Sequence, residues 1–154
     1  MILQNLSPEI KEVTIKDLQT IVEIENECFS SPWPVESFKS EIEKLSWSVT
    51  YIAAIDESAA GFMLLWQINN EFHLQKIGVL KKFRNRGVAH SMITFIIEQA
   101  KRRSLSRILL EVRGTNSGAL NLYKKNGFEI MDVRKGYYTD SGDDALVMEL
   151  KIED

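Results

Sequence analysis

Apolar residues recur along this chain with two periods, near 3.6 and near 2, and the changes of period divide it into eleven elements. EIKEVTI (residues 9–15) alternates weakly, as a strand does. Leu18, Ile21, Ile24 and Cys28 then follow helical spacing, and Thr14 with Asp17 three residues on has the pattern of a capping box. SSPWP interrupts that helix. Pro34 suits the first turn of the next, where Val35, Phe38, Ile42 and Leu45 form a second helical stripe. Three strand-like runs come next, WSVTYIAAID, AAGFMLLWQIN and EFHLQKIGVL, joined at DES and NNE by turns short enough for antiparallel hairpins. Residues 87 to about 103 return to the helical period. RILLEVR reads as a buried strand and residues 116–126 as a short helix stopped by Gly127. FEIMDVRKGYY and DALVMELKI read as two final strands. Hairpins followed by a β-α-β crossover predict a mixed sheet with helices on its faces, in the order β-α-α-β-β-β-α-β-α-β-β.

A length of 154 residues with no repeat or linker-like tract predicts one domain spanning residues 1–154. A formal net charge of -3 argues against a nucleic-acid binder that relies on a broad basic surface. One cysteine, Cys28, excludes an intrachain disulfide, and two histidines, His73 and His90, make a histidine-based zinc site unexpected. Met1 to Leu6 lacks a basic stretch followed by an apolar one, and no run approaches the roughly 20 apolar residues that span a bilayer. A cytoplasmic protein with neither metal nor membrane partner is expected.

Against this acidic background Lys81, Lys82, Arg84 and Arg86 crowd the entrance of the helix that opens at Gly87. A helix N-terminus leaves its first N–H groups unpaired and carries partial positive charge, so an anion is one explanation. A solvated basic turn is the other. The absence of a β-carbon at Gly87 and the small Ala89 would let backbone N–H groups approach a pyrophosphate. Gly78, inside LQKIGVL, marks either a bulge or close backbone approach, or else a tolerated small residue. In RILLEVR, Ile108, Leu110 and Val112 share one face, while Leu109 and Glu111 share the other. Glu111 therefore either reaches solvent at the sheet rim or lines a site, where burial would suit it to general-base work. Tyr123, in line with Ala119 and Asn126, is either a core residue with its hydroxyl at the rim or a proton donor. His73 has the chemistry of a base, although a strand histidine is more often structural. KGYYTDSGDDA is a polar, acidic, aromatic hairpin loop.

Taken together, these segments resemble the GNAT acetyltransferase superfamily over nearly the whole chain. Its pyrophosphate motif, [Q/R]-x-x-G-x-[G/A], is met by Arg84, Gly87 and Ala89. Three longer blocks resemble the bacterial ribosomal-protein-alanine N-acetyltransferases: CFSSPWPVESF, LEVRGTNSGALNLYKKNGF and RKGYYTDSGDDALVM. The resemblance departs in small ways, such as VLKKF without the Asp-Pro common in that turn, and Gly114 and Gly118 where larger residues are common.

The resemblance implies the GNAT fold, a mostly antiparallel splayed sheet flanked by helices. Acetyl-CoA would enter between the strand ending near Val79 and the strand carrying Glu111. Its pantetheine arm would bond the backbone of Ile77, Gly78 and Val79. Its pyrophosphate would rest on the N–H groups of Asn85, Arg86, Gly87, Val88, Ala89 and His90, with Asn116 contacting the arm. Glu111 would be the base, directly or through a water, and Tyr123 would protonate the departing thiolate. The Val79 N–H would stabilise the oxyanion. The substrate implied is a protein N-terminal peptide, an N-terminal alanine of a small-subunit ribosomal protein, lying between SSPWP and Tyr137–Tyr138 with Trp33 in contact. Broader N-terminal, lysine or small-amine acetylation stays open, as does a non-catalytic acyl-CoA sensor.

Overall fold

A computed structural model describes residues 5–153. The elements are β1 (Glu9–Glu12), α1 (Leu18–Cys28), α2 (Val35–Glu43), β2 (Ser48–Ile55), β3 (Ser58–Ile68), β4 (Glu71–Val79), α3 (Val88–Arg102), β5 (Arg107–Arg113), α4 (Ser117–Lys125), β6 (Glu129–Arg134) and β7 (Ala145–Lys151). Their order is the expected one, and the α/β architecture with a mixed sheet is found. The Thr14 signal opens a 3-10 turn that leads into α1: the Asp17 carboxylate accepts the Thr14 N–H at 3.0 Å, and Thr14 Oγ1 accepts the Lys16 N–H at 3.3 Å. One stripe differs from its reading. Val35 is 45% exposed, because α2 begins before its apolar face meets the sheet at fully buried Phe38.

The seven strands lie in the order β1-β2-β3-β4-β5-β7-β6. All neighbours are antiparallel except β4 and β5, which the crossover through α3 makes parallel. One core sits between the sheet and α3–α4, with Met92, Ile93, Ile96, Phe72, Ile108 and Tyr123 in it. A smaller one joins α1 and α2 to β2 and β3 through Ile21, Ile24, Phe38, Ile52, Phe62 and Leu64.

The parallel pair is short: β4 and β5 are in register only from Glu71 with Arg107 to Leu74 with Leu110. There the β3–β4 register also slips, from Leu65 opposite Leu74 to Leu64 opposite Lys76, leaving Gln75 as a bulge. The bulge reverses which residues face which layer. Phe72 and Leu74 point to the α3 side before it, and Ile77 and Val79 after it. Of the alternatives open at Gly78, the bulge is not there but three residues earlier. Gly78 is instead a point of close approach between elements, since a β-carbon on it would stand 3.2 Å from Cys28 Sγ and 3.3 Å from Cys28 Cβ. Its lack of a side chain lets the end of α1 rest on β4.

Gly61, on β3, is held more tightly: an added β-carbon would lie 2.5 Å from the Gly78 carbonyl oxygen. Backbone within a sheet yields less than a side chain. Gly61→Ala is expected to cost roughly 2 kcal/mol or more in urea denaturation, and Gly78→Ala about half as much. Equal midpoints for the two variants would refute this ranking.

Candidate active site

Beyond Leu74 and Leu110 the two parallel strands part, and a cleft of about 750 Å³ opens between them. The floor of one wall is backbone. Leu80 N–H bonds to Ala60 O at 2.8 Å, so Gly61 and Val79 face each other as a non-hydrogen-bonded pair. By the alternation of an antiparallel ladder, Ile77 and Val79 turn their N–H and C=O groups away from β3, toward the cleft. The Val79 carbonyl accepts Arg84 Nε at 2.8 Å and Cys28 Sγ at 3.4 Å. One of the four basic side chains thus braces the end of β4.

The mouth of the cleft lies at the start of α3. Asn85 and Gly87 both adopt left-handed backbone, with φ of 61° and 82°. The helical ladder starts with Ser91 N–H bonding to Gly87 O at 3.0 Å, so the N–H groups of Val88, Ala89 and His90 precede it. Gly87 caps without a side chain. A β-carbon there would lie 3.2 Å from the Asn5 side chain, so glycine serves both the turn and the N-terminal segment packed against it. Asn85, Gly87, Val88, Ala89 and His90 line the cleft, and so do Ile77, Gly78, Val79 and Asn116. Arg86 is not in the lining; its carbonyl holds the Leu6 N–H at 2.7 Å. Asn116 also caps α4, its Oδ1 accepting the Ala119 N–H at 3.2 Å.

The opposite wall carries Glu111, Tyr123 and Tyr138. Glu111 is exposed, so of the two alternatives it satisfies both: it reaches solvent and lines the cleft. Tyr138 O–H donates to Glu111 Oε1 at 2.8 Å. Arg113 sets that tyrosine in place, its guanidinium 3.9 Å from the ring centroid and both terminal nitrogens 3.1 Å from the Asp140 carboxylate. Burial, then the bond to Glu111, pushes the Tyr138 hydroxyl up to about 12. Tyr123 is 5% exposed, and burial pushes its hydroxyl to about 12 as well.

The other two substrate candidates lie outside the lining. Tyr137 is 49% exposed and meets Tyr138 edge-on. Trp33 packs on Phe38, with Lys76 Nζ 4.4 Å from its ring. That lysine belongs to a cluster the sequence reading passed over. Glu25, fully buried on α1, holds Lys76 Nζ at 2.6 Å and the Trp33 N–H at 2.9 Å, while Phe29 also faces the ammonium at 4.3 Å. A carboxylate four residues after Ile21, on the apolar stripe of α1, was the available signal. His73 sits at the far end of β4, bonded to Glu71 at 3.0 Å. No group of three or more His, Cys, Asp or Glu that could hold a metal occurs among the described residues.

Residues 18–128 match the acetyltransferase (GNAT) family. The chain is 30% identical over 145 residues to a provisionally assigned ribosomal protein bS18-alanine N-acetyltransferase of Bacillus subtilis (strain 168), covering 94% of this chain and 96% of that protein. It is 27% identical over 147 residues to the ribosomal protein bS18-alanine N-acetyltransferase of Escherichia coli (strain K12), covering 93% and 97%. The crystal structure of the Escherichia coli ribosomal-protein-S18-alanine N-acetyltransferase superposes with a TM-score of 0.88 at 26% identity, over 96% of this chain and 95% of that one. With the parted strands and the family match in agreement, the chain belongs to the acetyltransferase (GNAT) family and is an acetyl-CoA-dependent acetyltransferase.

Proposed function

We propose that the protein transfers the acetyl group to the N-terminal α-amino group of a protein, its substrate being an N-terminal alanine of a small-subunit ribosomal protein in the cytoplasm. One observation carries the reading: Glu111, Tyr123 and the outward-turned backbone of Val79, from three separate elements, line one cleft. The likeness to relatives that act on bS18 supports the choice of substrate. A wider range of N-termini is the second reading, favoured by 26% identity over 152 residues to an N-alpha-acetyltransferase of Sulfurisphaera tokodaii, an activity defined by the α-amino group and not by one protein.

An α-amino group with a pKa of about 7.7–8.0 is largely ammonium at neutral pH and must lose a proton before it attacks. Glu111 takes that proton, and its exposure leaves room for a relaying water. The amine adds to the thioester carbonyl, whose oxygen gains negative charge opposite the Val79 N–H. The C–S bond then breaks. Tyr123, at about 12, stays protonated throughout the working range. As the C–S bond lengthens Tyr123 gives its phenolic proton to the departing sulfur, and the second proton on the attacking nitrogen passes to solvent, from which the phenol is restored. The N–H groups of Val88, Ala89 and His90, which precede the helical ladder, suit a pyrophosphate.

A mixed pool of Ala-, Ser- and Met-initiated peptides, N-terminally blocked lysine peptides and polyamines, incubated with protein and acetyl-CoA, separates the readings by mass spectrometry. Acetylation confined to free alanine termini is expected. Products on several free termini would favour the wider enzyme, and products on blocked peptides would refute N-terminal specificity. Glu111→Gln retains an acceptor for Tyr138 and is expected to lower turnover about a hundredfold or more, with acetyl-CoA affinity essentially unchanged. An unaltered rate across the pH range would remove Glu111 from the mechanism.

The buried Tyr123 also fixes a pH dependence of stability. Its folded value is raised to about 12 from the ordinary 10. The unfolded chain therefore releases the proton first, and stability is intact below pH 10 and falls as pH rises toward 12. Between pH 9 and pH 11 the parent is expected to lose about 1 kcal/mol more than Tyr123→Phe in denaturant titrations. Parallel curves for the two would show the hydroxyl to be solvated.

A further inference from the structure

The last strand of the sheet is the least covered. All six residues of β6 are exposed, with Ile130, Met131 and Val133 at 43%, 51% and 41%. β6 bonds to β7 on one side, and no strand of the described residues covers the other. Its backbone directions follow from the register. Gly114 N–H bonds to Asp144 O at 2.9 Å, which makes Arg113 and Ala145 a non-hydrogen-bonded pair and turns the Ala145 backbone groups toward β6. Alternation along β7 then gives Ala145, Val147 and Glu149 as the residues bonded to β6, opposite Arg134, Asp132 and Glu129. Ile130 and Val133 consequently direct their N–H and C=O groups outward. The Val133 N–H has a local partner only, Asp132 Oδ1 at 2.9 Å.

In an unbroken strand, outward-facing residues are an even number of positions apart. The register slip between Ile130 and Asp132 makes Met131 an extra residue and spaces the outward pair by three. We propose that β6 pairs antiparallel with β6 of a second copy of this chain, about a two-fold axis between Met131 and Asp132. Ile130 of each copy then forms a hydrogen-bonded pair with Val133 of the other, and Glu129 of each stands opposite Arg134 of the other. The faces agree with this register. Ile130 and Val133 oppose Met148 and Leu146, which belong to the α3–α4 side, while Glu129 and Arg134 oppose Glu149 and Ala145 on the reverse. One face of the seam joins apolar to apolar, and the other joins anion to cation. A two-fold contact requires this self-complementarity.

The two Asp132 carboxylates flank the axis and oppose association. With a contact only one strand wide, a dissociation constant on the order of 100 μM is expected. The contact bears on the cleft through Arg134, whose guanidinium lies 5.6 Å from the Tyr137 ring at the root of the loop that carries Tyr138.

Sedimentation velocity on the full chain from about 10 μM to about 1 mM tests the seam. The parent is expected to dimerise reversibly. Glu129→Arg and Arg134→Glu are each expected to weaken the dimer about tenfold or more, because both salt pairs become like-charge pairs. Mixed in equal amounts, the two single variants are expected to associate, since each supplies the sign the other lacks. The double variant is expected to regain self-association. Circular dichroism melts establish that each variant is folded. A parent that stays monomeric throughout, a dimer indifferent to both swaps, or single variants that ignore each other when mixed would overturn the proposal.

Discussion

Everything in the site depends on a hydrogen-bond ladder that stops. β4 and β5 share register over four residue pairs, and their separation beyond Leu74 and Leu110 leaves backbone groups unpaired in the middle of a sheet. Leaving such groups without partners is costly wherever water is kept out. The fold answers in two ways. Part of the exposed edge is bonded from within, as at the Val79 carbonyl, which Arg84 and Cys28 hold. The rest faces an open cleft. The Gln75 bulge lets the strand diverge from its neighbour while Ile77 and Val79 still pack on the α3 side.

Both walls of the cleft rest on the larger core, and the β4 wall is held from its other face as well. α1 reaches β4 through Gly78 and through the buried pair of Glu25 and Lys76. Tyr123 belongs to the larger core under α3 and α4. Tyr138 is attached by surface polar contacts, to Glu111 and to Arg113, which itself grips Asp140. The wall that carries Glu111 thus joins a residue fixed by packing to one fixed by charge and hydrogen bonding. Salt would loosen the second kind of attachment and leave the first intact.

Most of the fold was legible from periodicity. Every strand and helix falls within a few residues of its expected place, and RILLEVR coincides with β5 because its buried and exposed positions alternate strictly. Candidate residues were legible where local chemistry leaves a mark on composition: Gly87 at a helix entrance and Glu111 interrupting an apolar strand, whereas Asn116, which caps α4, was named only through the resemblance. Other parts left no local mark. The position of the bulge depends on how β4 aligns with β3, so composition could suggest Gly78 but could not locate it at Gln75. Val35 matched a helical stripe, yet only the path of the chain into α2 decides that it is exposed. The partnership of Glu25 with Lys76 spans 51 residues and could not be paired without the fold. Trp33 and Tyr137 were placed by resemblance of segments, which says nothing about the direction of a side chain.

A sheet ordinarily has two borders. The parting of β4 and β5 gives this one an internal seam, with strand edges facing each other inside the molecule. Exposed edges invite other chains to add strands, a common route to aggregation. Here α1 stands on one side of the seam and α3 on the other, so a guest must be slender: a flexible linear arm can thread the gap where a polypeptide strand with side chains on both faces would not fit. The same geometry that creates a binding groove therefore also guards a sheet interior against invasion by its own kind.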